Sequence, residues 1–271
     1  MNQSELIDAA KAALEPLEAV RGLFIGGSLG RGSGDEWSDV DLVAVTQPDQ
    51  QRWLADQWRL MLEQITPVVF WNELHRDGLI LNAVTHEWLR CDLVLTDPKR
   101  FRGRAQNLLQ PLIDRDGLYG ALPASLPDKT PNAGRVNYLI NEFIRVLGLT
   151  PVVLARGEYV TGVMGTGLLR EMVQGLFMED VSLPDPGGIL HLSTLLTPEQ
   201  MLILCSLPYP APSRHEVLHA NIEVTKVFLP LARGMAGRLG VVWPSAFEAA
   251  TRRHLIDTLG DEVDLSWWMT S

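Results

Sequence analysis

The chain has 271 residues, of which 46% are hydrophobic and 21% charged, and its formal net charge is -10. This composition is typical of a folded globular protein long enough for two domains, and it excludes a largely disordered chain. The lysines and arginines form no basic cluster in the acidic sequence, which counts against a nucleic acid partner because a phosphate backbone is bound by basic surfaces.

The start of the chain and its cysteines indicate the compartment in which the protein acts. The first residues lack the basic start and apolar run of a signal peptide, and no apolar stretch approaches the length of a membrane span. We therefore expect a cytoplasmic protein without membrane contact. Cys91 and Cys205 lie in apolar runs and are expected to be buried free thiols. The sequence leaves the oligomeric state open.

The first part of the chain predicts a mixed α/β sheet with flanking helices. Its apolar periodicity indicates an opening helix over residues 4–20, a short strand at 23–25, a turn, and a second strand from residue 40. A helix and three further strands follow, at residues 50–64, 67–71, 78–85 and 88–95.

The glycine-rich turn after the first predicted strand suggests a phosphate site. Gly26 and Gly27 end a short apolar run, where glycine permits unusual backbone angles or the close approach of a ligand. Ser28 then opens a short segment that can be helical. Backbone N–H groups at such a turn attract phosphate oxygens. An ordinary strand-to-helix turn is the alternative, and the acidic residues that follow disfavour it.

Asp39 and Asp41 flank Val40 and precede an apolar run, so both carboxylates should project from the same side of a strand. Two close carboxylates repel each other, and a divalent cation removes that conflict. Mg²⁺ suits the pair best, because it prefers oxygen ligands and is commonly held by one or two carboxylates together with substrate phosphates.

The second part of the chain predicts a helical bundle. Four prolines interrupt residues 110–132, which suggests a linker. Beyond it, apolar residues recur at helical spacing over 136–147, 152–178, 198–207, 214–239 and 245–259. We therefore divide the chain into a catalytic domain, a linker and a helical substrate-binding domain, at residues 1–110, 111–133 and 134–271. We expect one face of the bundle to close the cleft above the aspartates.

The order of these motifs resembles the nucleotidyltransferases of the DNA polymerase β-like superfamily. The Gly-Gly-Ser turn, the Arg31-Gly32 pair and the Asp39–Asp41 doublet are similar to those of the smaller bacterial members, which include the aminoglycoside and lincosamide nucleotidyltransferases. The resemblance covers about the first hundred residues. It implies a nucleotidyltransferase fold followed by an all-α domain, with a nucleoside triphosphate as co-substrate, for which ATP is the first expectation.

The resemblance also implies roles for individual residues. Gly27 and Ser28 would hold the triphosphate, and Asp39 and Asp41 would hold the metal ions. A third carboxylate from a later strand completes the site in this family, and Asp92 occupies a matching strand here. Asp92 would hold a metal ion and take the proton of the acceptor hydroxyl.

Several assignments stay open in the sequence. Glu87 is a rival third acid, although the neighbours of Asp92 alternate more like those of a strand. Arg31 can contact the phosphates or pair with a nearby acid. Some relatives use a basic residue of the helical domain on the triphosphate, and Lys226 is the candidate here, against a surface lysine. Four residues are candidates for lining the acceptor cleft, against a solvated helix face: Glu158, Tyr159, Arg170 and Glu171.

These features favour an enzyme that transfers a nucleoside monophosphate to a hydroxyl of a small molecule. AMP is the first expectation for this nucleotide. The resemblance makes an antibiotic the first expectation for the acceptor, and the acidic net charge is compatible with a cationic one. The alternative is a regulatory or antitoxin-like module that binds or modifies a protein partner. The intact acidic residues and the helical half disfavour that alternative.

Overall fold

The computed structural model describes residues 1–76, 78–184 and 189–268. The chain divides into two compact units, Met1–Pro127 and Asp128–Ser271, and each is described by itself. The division falls inside the segment that the sequence predicts to be a linker.

The helices and strands of the first unit are named here in chain order. They are α1 (Gln3–Leu14), β1 (Gly22–Ile25), α2 (Gly27–Gly30), β2 (Val40–Val45), α3 (Gln51–Ile65), β3 (Val68–His75), β4 (Leu79–Thr85), β5 (Arg90–Thr96), α4 (Pro98–Phe101) and β6 (Gln110–Asp114). Helix α1 is shorter than predicted. It ends at Leu14, two residues before Pro16, which has no backbone N–H to continue the helical hydrogen bonds.

The strands form one six-stranded sheet in the order β3-β4-β5-β2-β1-β6. Strands β2 and β5 are parallel, and the other neighbouring pairs are antiparallel. The mixed sheet predicted from the sequence is therefore confirmed. The parallel pair matters most for the site, because it places Asp41 directly opposite Asp92.

The two faces of this sheet differ in how they are covered. Side chains along β4 alternate strictly between buried and half-buried. The buried side chains face a core made with helices α1 and α3, in which Leu6, Leu54 and Trp58 are fully buried. The opposite face is covered near β1 and β2 by a smaller cluster around Phe24 and Phe101. It is more open over β4 and β5, where the candidate site lies.

Strand β6 occupies the first residues of the predicted linker. It pairs with β1 at the edge of the sheet, and Leu112 falls at a register shift between its neighbours Pro111 and Ile113. An edge strand tolerates proline because one side of it needs no ladder hydrogen bonds. The proline that suggested a break in the sequence therefore lies inside a strand.

The second unit is helical. Its helices are α5 (Ala133–Gly148), α6 (Thr150–Ala155), α7 (Tyr159–Glu179), α8 (Leu192–Leu195), α9 (Pro198–Ser206), α10 (Arg214–Leu239) and α11 (Ser245–Leu259). The sequence predicts one helix over 152–178, but the chain turns at Gly157, whose φ of 67° is a conformation that glycine adopts without strain. In the core, the rings of Phe143 and Phe228 stack with centroids 3.7 Å apart.

A buried carboxylate connects the last segments of this unit through hydrogen bonds. Glu248 of α11 is fully buried and accepts hydrogen bonds from Arg233 of α10 at 2.7 and 2.8 Å. The indole nitrogens of Trp243 and Trp268 donate to its two oxygens at 2.6 and 2.7 Å. Because every donor is directed at one charge, this network fixes α10, α11 and the chain after them together.

One stretch of the described chain, residues 133–155, is long and apolar enough to cross a membrane by length and composition. This corrects the expectation that no apolar stretch approaches that length. Half of its most apolar part is buried, and Phe143, Ile144 and Leu147 belong to the core of the helical unit. The core of a helical bundle accounts for the same composition. A second correction concerns Cys205, which is exposed, whereas Cys91 is buried as expected.

Candidate active site

Three carboxylates come together on the more open face of the sheet. Oxygen atoms of Asp39, Asp41 and Asp92 all lie within 4.8 Å of one another. Asp39 directly precedes β2, Asp41 is its second residue, and Asp92 is the third residue of β5. Since β2 and β5 are parallel and in register, the side chains of Asp41 and Asp92 leave the same face side by side. The three aspartates are named the acidic triad below.

The Gly-Gly-Ser turn lies against this triad. The backbone N–H of Gly26 donates to the carbonyl of Asp41 at 2.8 Å, which ties the turn to β2. Gly27 has a φ of 57°, and a β-carbon at this position would lie 1.8 Å from Oδ2 of Asp41. The turn therefore requires glycine for two reasons, its backbone angle and the contact with the carboxylate.

Ser28 supports the loop between the turn and the triad. Its hydroxyl is buried and donates to Oγ of Ser38 at 2.9 Å, and Ser38 donates in turn to Asp35 at 2.9 Å. Gln3 of α1 also donates to the carbonyls of Asp35 and Ser38, at 2.9 and 2.7 Å. These bonds hold the residues that lead into Asp39, so the site is preorganised from both ends of the loop.

Burial and the charges of neighbouring carboxylates raise the pKa values of Asp41 and Asp92. Burial, followed by the charges of Asp39 and Asp92, raises the pKa of Asp41 to about 6, while the positive charges of Arg31 and Arg90 oppose the shift. The pKa of Asp92 is raised by burial and by Asp39, against a hydrogen bond from Asn82. Three half-buried carboxylates at this spacing repel one another, and a hard divalent cation is the partner that such an oxygen donor set fits.

Two arginines contribute positive charge. Arg90 lies 3.5 Å from Asp39 and donates to the carbonyl of Trp37 at 3.3 Å. Arg90 is not among the residues predicted from the sequence, although it precedes Asp92 by two residues and so shares its face of β5. Arg31, which the sequence did select, is close enough to lower the pKa of Asp41 through its charge.

The structure also separates the two rival third acids. Glu87 lies in the turn between β4 and β5, where its carboxylate pairs with the amino group of Met1 at 2.6 Å. It does not belong to the acidic triad, whereas Asp92 does. Asp92 is therefore the acid that the fold brings to the doublet.

The candidates in the helical unit have partners of their own. Lys226 pairs with Glu223 at 2.7 Å on the surface of α10, and its role toward the triphosphate stays a prediction. Arg170 donates to the carbonyls of Leu207 and Pro208, and its guanidinium stacks on Tyr209 at 3.5 Å. The remaining three candidates, Glu158, Tyr159 and Glu171, lie at the start and in the middle of α7.

Comparison with known families finds a match that lies within the first unit. Residues 6–114 match the family described as "Nucleotidyltransferase domain". This segment contains the Gly-Gly-Ser turn, the acidic triad and all six strands of the sheet. No curated protein sequence matches the chain.

Three solved structures are similar at low identity. An aminoglycoside 6-adenyltransferase from Bacillus subtilis is 15% identical over 94% of this chain and 97% of that chain, with a TM-score of 0.41. A nucleotidyltransferase-like protein from Exiguobacterium sibiricum is 13% identical over 91% and 79%, with a TM-score of 0.37. Terminal uridylyl transferase 4 from Trypanosoma brucei is 14% identical over 84% and 65%, with a TM-score of 0.29.

Proposed function

We propose that this nucleotidyltransferase, whose residues 6–114 match the nucleotidyltransferase domain family, transfers AMP from ATP to a hydroxyl of a small molecule and releases pyrophosphate. The observation that carries this proposal is the acidic triad, within 4.8 Å, beside a glycine turn that leaves no room for a β-carbon. ATP is proposed as the nucleoside triphosphate because these motifs resemble those of the antibiotic nucleotidyltransferases.

The triad would hold divalent metal ions, with Mg²⁺ proposed because the donors are all carboxylate oxygens. Such ions, when bound, neutralise charge on the phosphoryl oxygens and the leaving pyrophosphate. In this proposal Asp92 accepts the proton of the acceptor hydroxyl. The hydroxyl oxygen then forms its bond to the α-phosphorus, and the bond between that phosphorus and the pyrophosphate oxygen breaks.

The turn and the arginine beside it would position the triphosphate. The first amides of α2 have no carbonyl partner within the helix, so the turn at Gly27 and Ser28 presents donors to phosphate oxygens. Arg31 follows this helix directly and adds a positive charge near Asp41. Alignment of the two reactants by these fixed groups would supply much of the rate enhancement.

The acceptor is proposed to be a small molecule, and an aminoglycoside or a lincosamide is the preferred candidate. Modification of such a drug would make the host resistant to it. The net charge of -10 supports a cationic acceptor, since an acidic surface attracts it, and disfavours a nucleic acid. Action in the cytoplasm, where nucleoside triphosphates are available, belongs to the same proposal.

The test incubates the purified full chain with Mg²⁺, each radiolabelled nucleoside triphosphate and a panel of aminoglycosides and lincosamides, and measures pyrophosphate release. Release that requires ATP and one drug, and that is absent in the Asp39→Ala, Asp41→Ala double variant, supports the proposal. Triphosphate binding without release across the panel would point to another metabolite or a protein acceptor. Absence of metal-dependent triphosphate binding would overturn the proposed reaction.

A further inference from the structure

A row of polar side chains crosses four strands and includes two members of the triad. Asn72 of β3 is opposite Asn82 of β4, Asn82 is opposite Asp92 of β5, and Asp92 is opposite Asp41 of β2. We call these four residues the amide-carboxylate row. Gly27 packs against its Asp41 end, so the two asparagines extend the row away from the turn, on the other side of Asp92.

Asparagine is an unusual residue at these strand positions. It is disfavoured in strands, and the residues two positions away from Asn82 on the same face of β4, Ile80 and Val84, are apolar. Asn82 is partly buried, and a side-chain amide in such a position is usually hydrogen-bonded. Both of its partners lie in the row.

The hydrogen bonds of the row fix the direction of the Asn82 amide. Nδ2 of Asn72 donates to Oδ1 of Asn82 at 3.5 Å. On the other side, Asn82 is directly opposite Asp92 in the paired strands, and its side-chain amide lies near enough to that carboxylate to lower the pKa of Asp92. Turning the Asn82 amide over would place its oxygen against that carboxylate and its nitrogen against another N–H donor. The direction seen is therefore the one that satisfies both neighbours.

We propose that Asn82 is a positioning residue for Asp92 and that Asn72 acts through it by fixing the direction of its amide. This inference rests on the proposed function, because it assigns Asp92 the task of receiving the acceptor proton. The side-chain N–H of Asn82 would hold the carboxylate of Asp92 in one orientation, because a hydrogen bond to a charged acceptor is strong. Asp92 meanwhile stays beside Asp39 and Asp41.

The kinetic test compares Asn82→Ala with Val84→Ala, a truncation on the same strand and face. Pyrophosphate release from ATP is measured with Mg²⁺ and the drug that supports wild-type turnover. A hydrogen bond to a charged group predicts a fall in kcat of about 10- to 100-fold for Asn82→Ala, with KM for ATP within about threefold. Asn82→Ser, which keeps a donor, should recover part of kcat. Equal losses in Asn82→Ala and Val84→Ala would overturn the proposal.

The role of Asn72 is tested by a double-mutant cycle. Asn72→Ala should lower kcat severalfold in the wild-type background and have no further effect in the Asn82→Ala background, since it acts only through that amide. Full additivity of the two losses would contradict the assignment to Asn72.

A readout that needs no turnover separates this inference from the proposed reaction. In ¹⁵N-labelled full-length protein, the side-chain amide signals of Asn82 are identified by their loss in Asn82→Ala. Asp92→Ala should shift these signals strongly and Val84→Ala should shift them little. Signals that do not respond to Asp92→Ala would overturn the positioning role. A protein that passes this test but shows no metal-dependent binding of triphosphate would instead contradict the proposed reaction.

Discussion

A β-carbon at Gly27 would overlap the carboxylate of Asp41, with only 1.8 Å between it and Oδ2. The turn and the doublet are therefore in direct contact. A change in one should disturb the other.

Gly27→Ala should reduce binding of Mn²⁺ and ATP by at least 100-fold, because the new methyl group displaces the Asp41 side chain. Gly32→Ala is the matched control. Gly32 also has a positive φ, 73°, but a β-carbon there would meet nothing within 4 Å. Both substitutions should lower stability by about 1 kcal/mol through backbone strain. Calorimetric titration of both variants measures the difference, and equal binding losses would contradict the contact as its cause.

The raised pKa of Asp41 predicts how pH affects the metal-free protein. The folded-state pKa is about 6, above the ordinary value of 3.8, so the folded state holds this proton more tightly. The resulting stabilisation is present below about pH 4 and is lost as pH rises through 6. Asp41→Asn should therefore be more stable than the wild type at pH 7 in EDTA, by about 1 to 2 kcal/mol after allowing for solvent screening.

Chemical denaturation in EDTA across pH 4 to 8 measures this effect. Added Mg²⁺ should stabilise the wild type above pH 6 and should stabilise Asp41→Asn much less, since a ligand charge is missing. A wild type whose stability rises from pH 4 to 7 relative to Asp41→Asn would have the opposite sign and would contradict the assigned cause.

Asp92→Asn should remove turnover more completely than triphosphate binding. Loss of a general base lowers kcat by about 100- to 10,000-fold, whereas Asp39 and Asp41 remain to hold the metal ions and the triphosphate. Glu87→Gln should leave kcat within about twofold, because Glu87 pairs with the terminal amino group of Met1. Steady-state kinetics and ATP binding of the two variants decide this, and a large kcat effect of Glu87→Gln would reverse the choice of third acid.

Glu248→Ala should strongly destabilise the helical unit. It leaves Arg233 without its buried carboxylate partner and removes the acceptor of two indole N–H groups, which predicts a loss of about 3 to 5 kcal/mol. Glu223→Ala breaks an exposed pair with Lys226 and should cost less than about 1 kcal/mol. Thermal unfolding of both variants measures the difference. A Glu248→Ala protein as stable as Glu223→Ala would show that the network is dispensable.

The outline of the first unit was predictable because its signals are local. A period of two around Asp39 and Asp41 indicates a strand with both carboxylates on one face, and consecutive glycines indicate a turn. The same reasoning favoured Asp92 over Glu87, and the structure places Asp92 in the acidic triad. Helices α10 and α11 begin and end at the predicted residues, 214–239 and 245–259, since their apolar spacing is regular.

Other features depended on contacts between distant segments. Pro111 predicts a break in the chain where the structure has strand β6, and only the edge position of that strand shows why a proline is tolerated there. The expected burial of Cys205 was wrong, because an apolar run does not reveal which side of a helix faces solvent. Asn82 was not selected, since an asparagine in a strand gives no signal until its neighbour across the sheet is known.

The sequence by itself determined the kinds of groups present: a glycine turn, paired carboxylates on a strand and a later acid on another strand. These depend on backbone angles and side-chain periodicity, which are properties of a few adjacent residues. Only the tertiary structure decided which groups meet. The parallel register of β2 and β5 places Asp41 beside Asp92, and the antiparallel register of β4 adds Asn82 to the same row. Strand pairing joins residues far apart in the chain, so no local pattern specifies it.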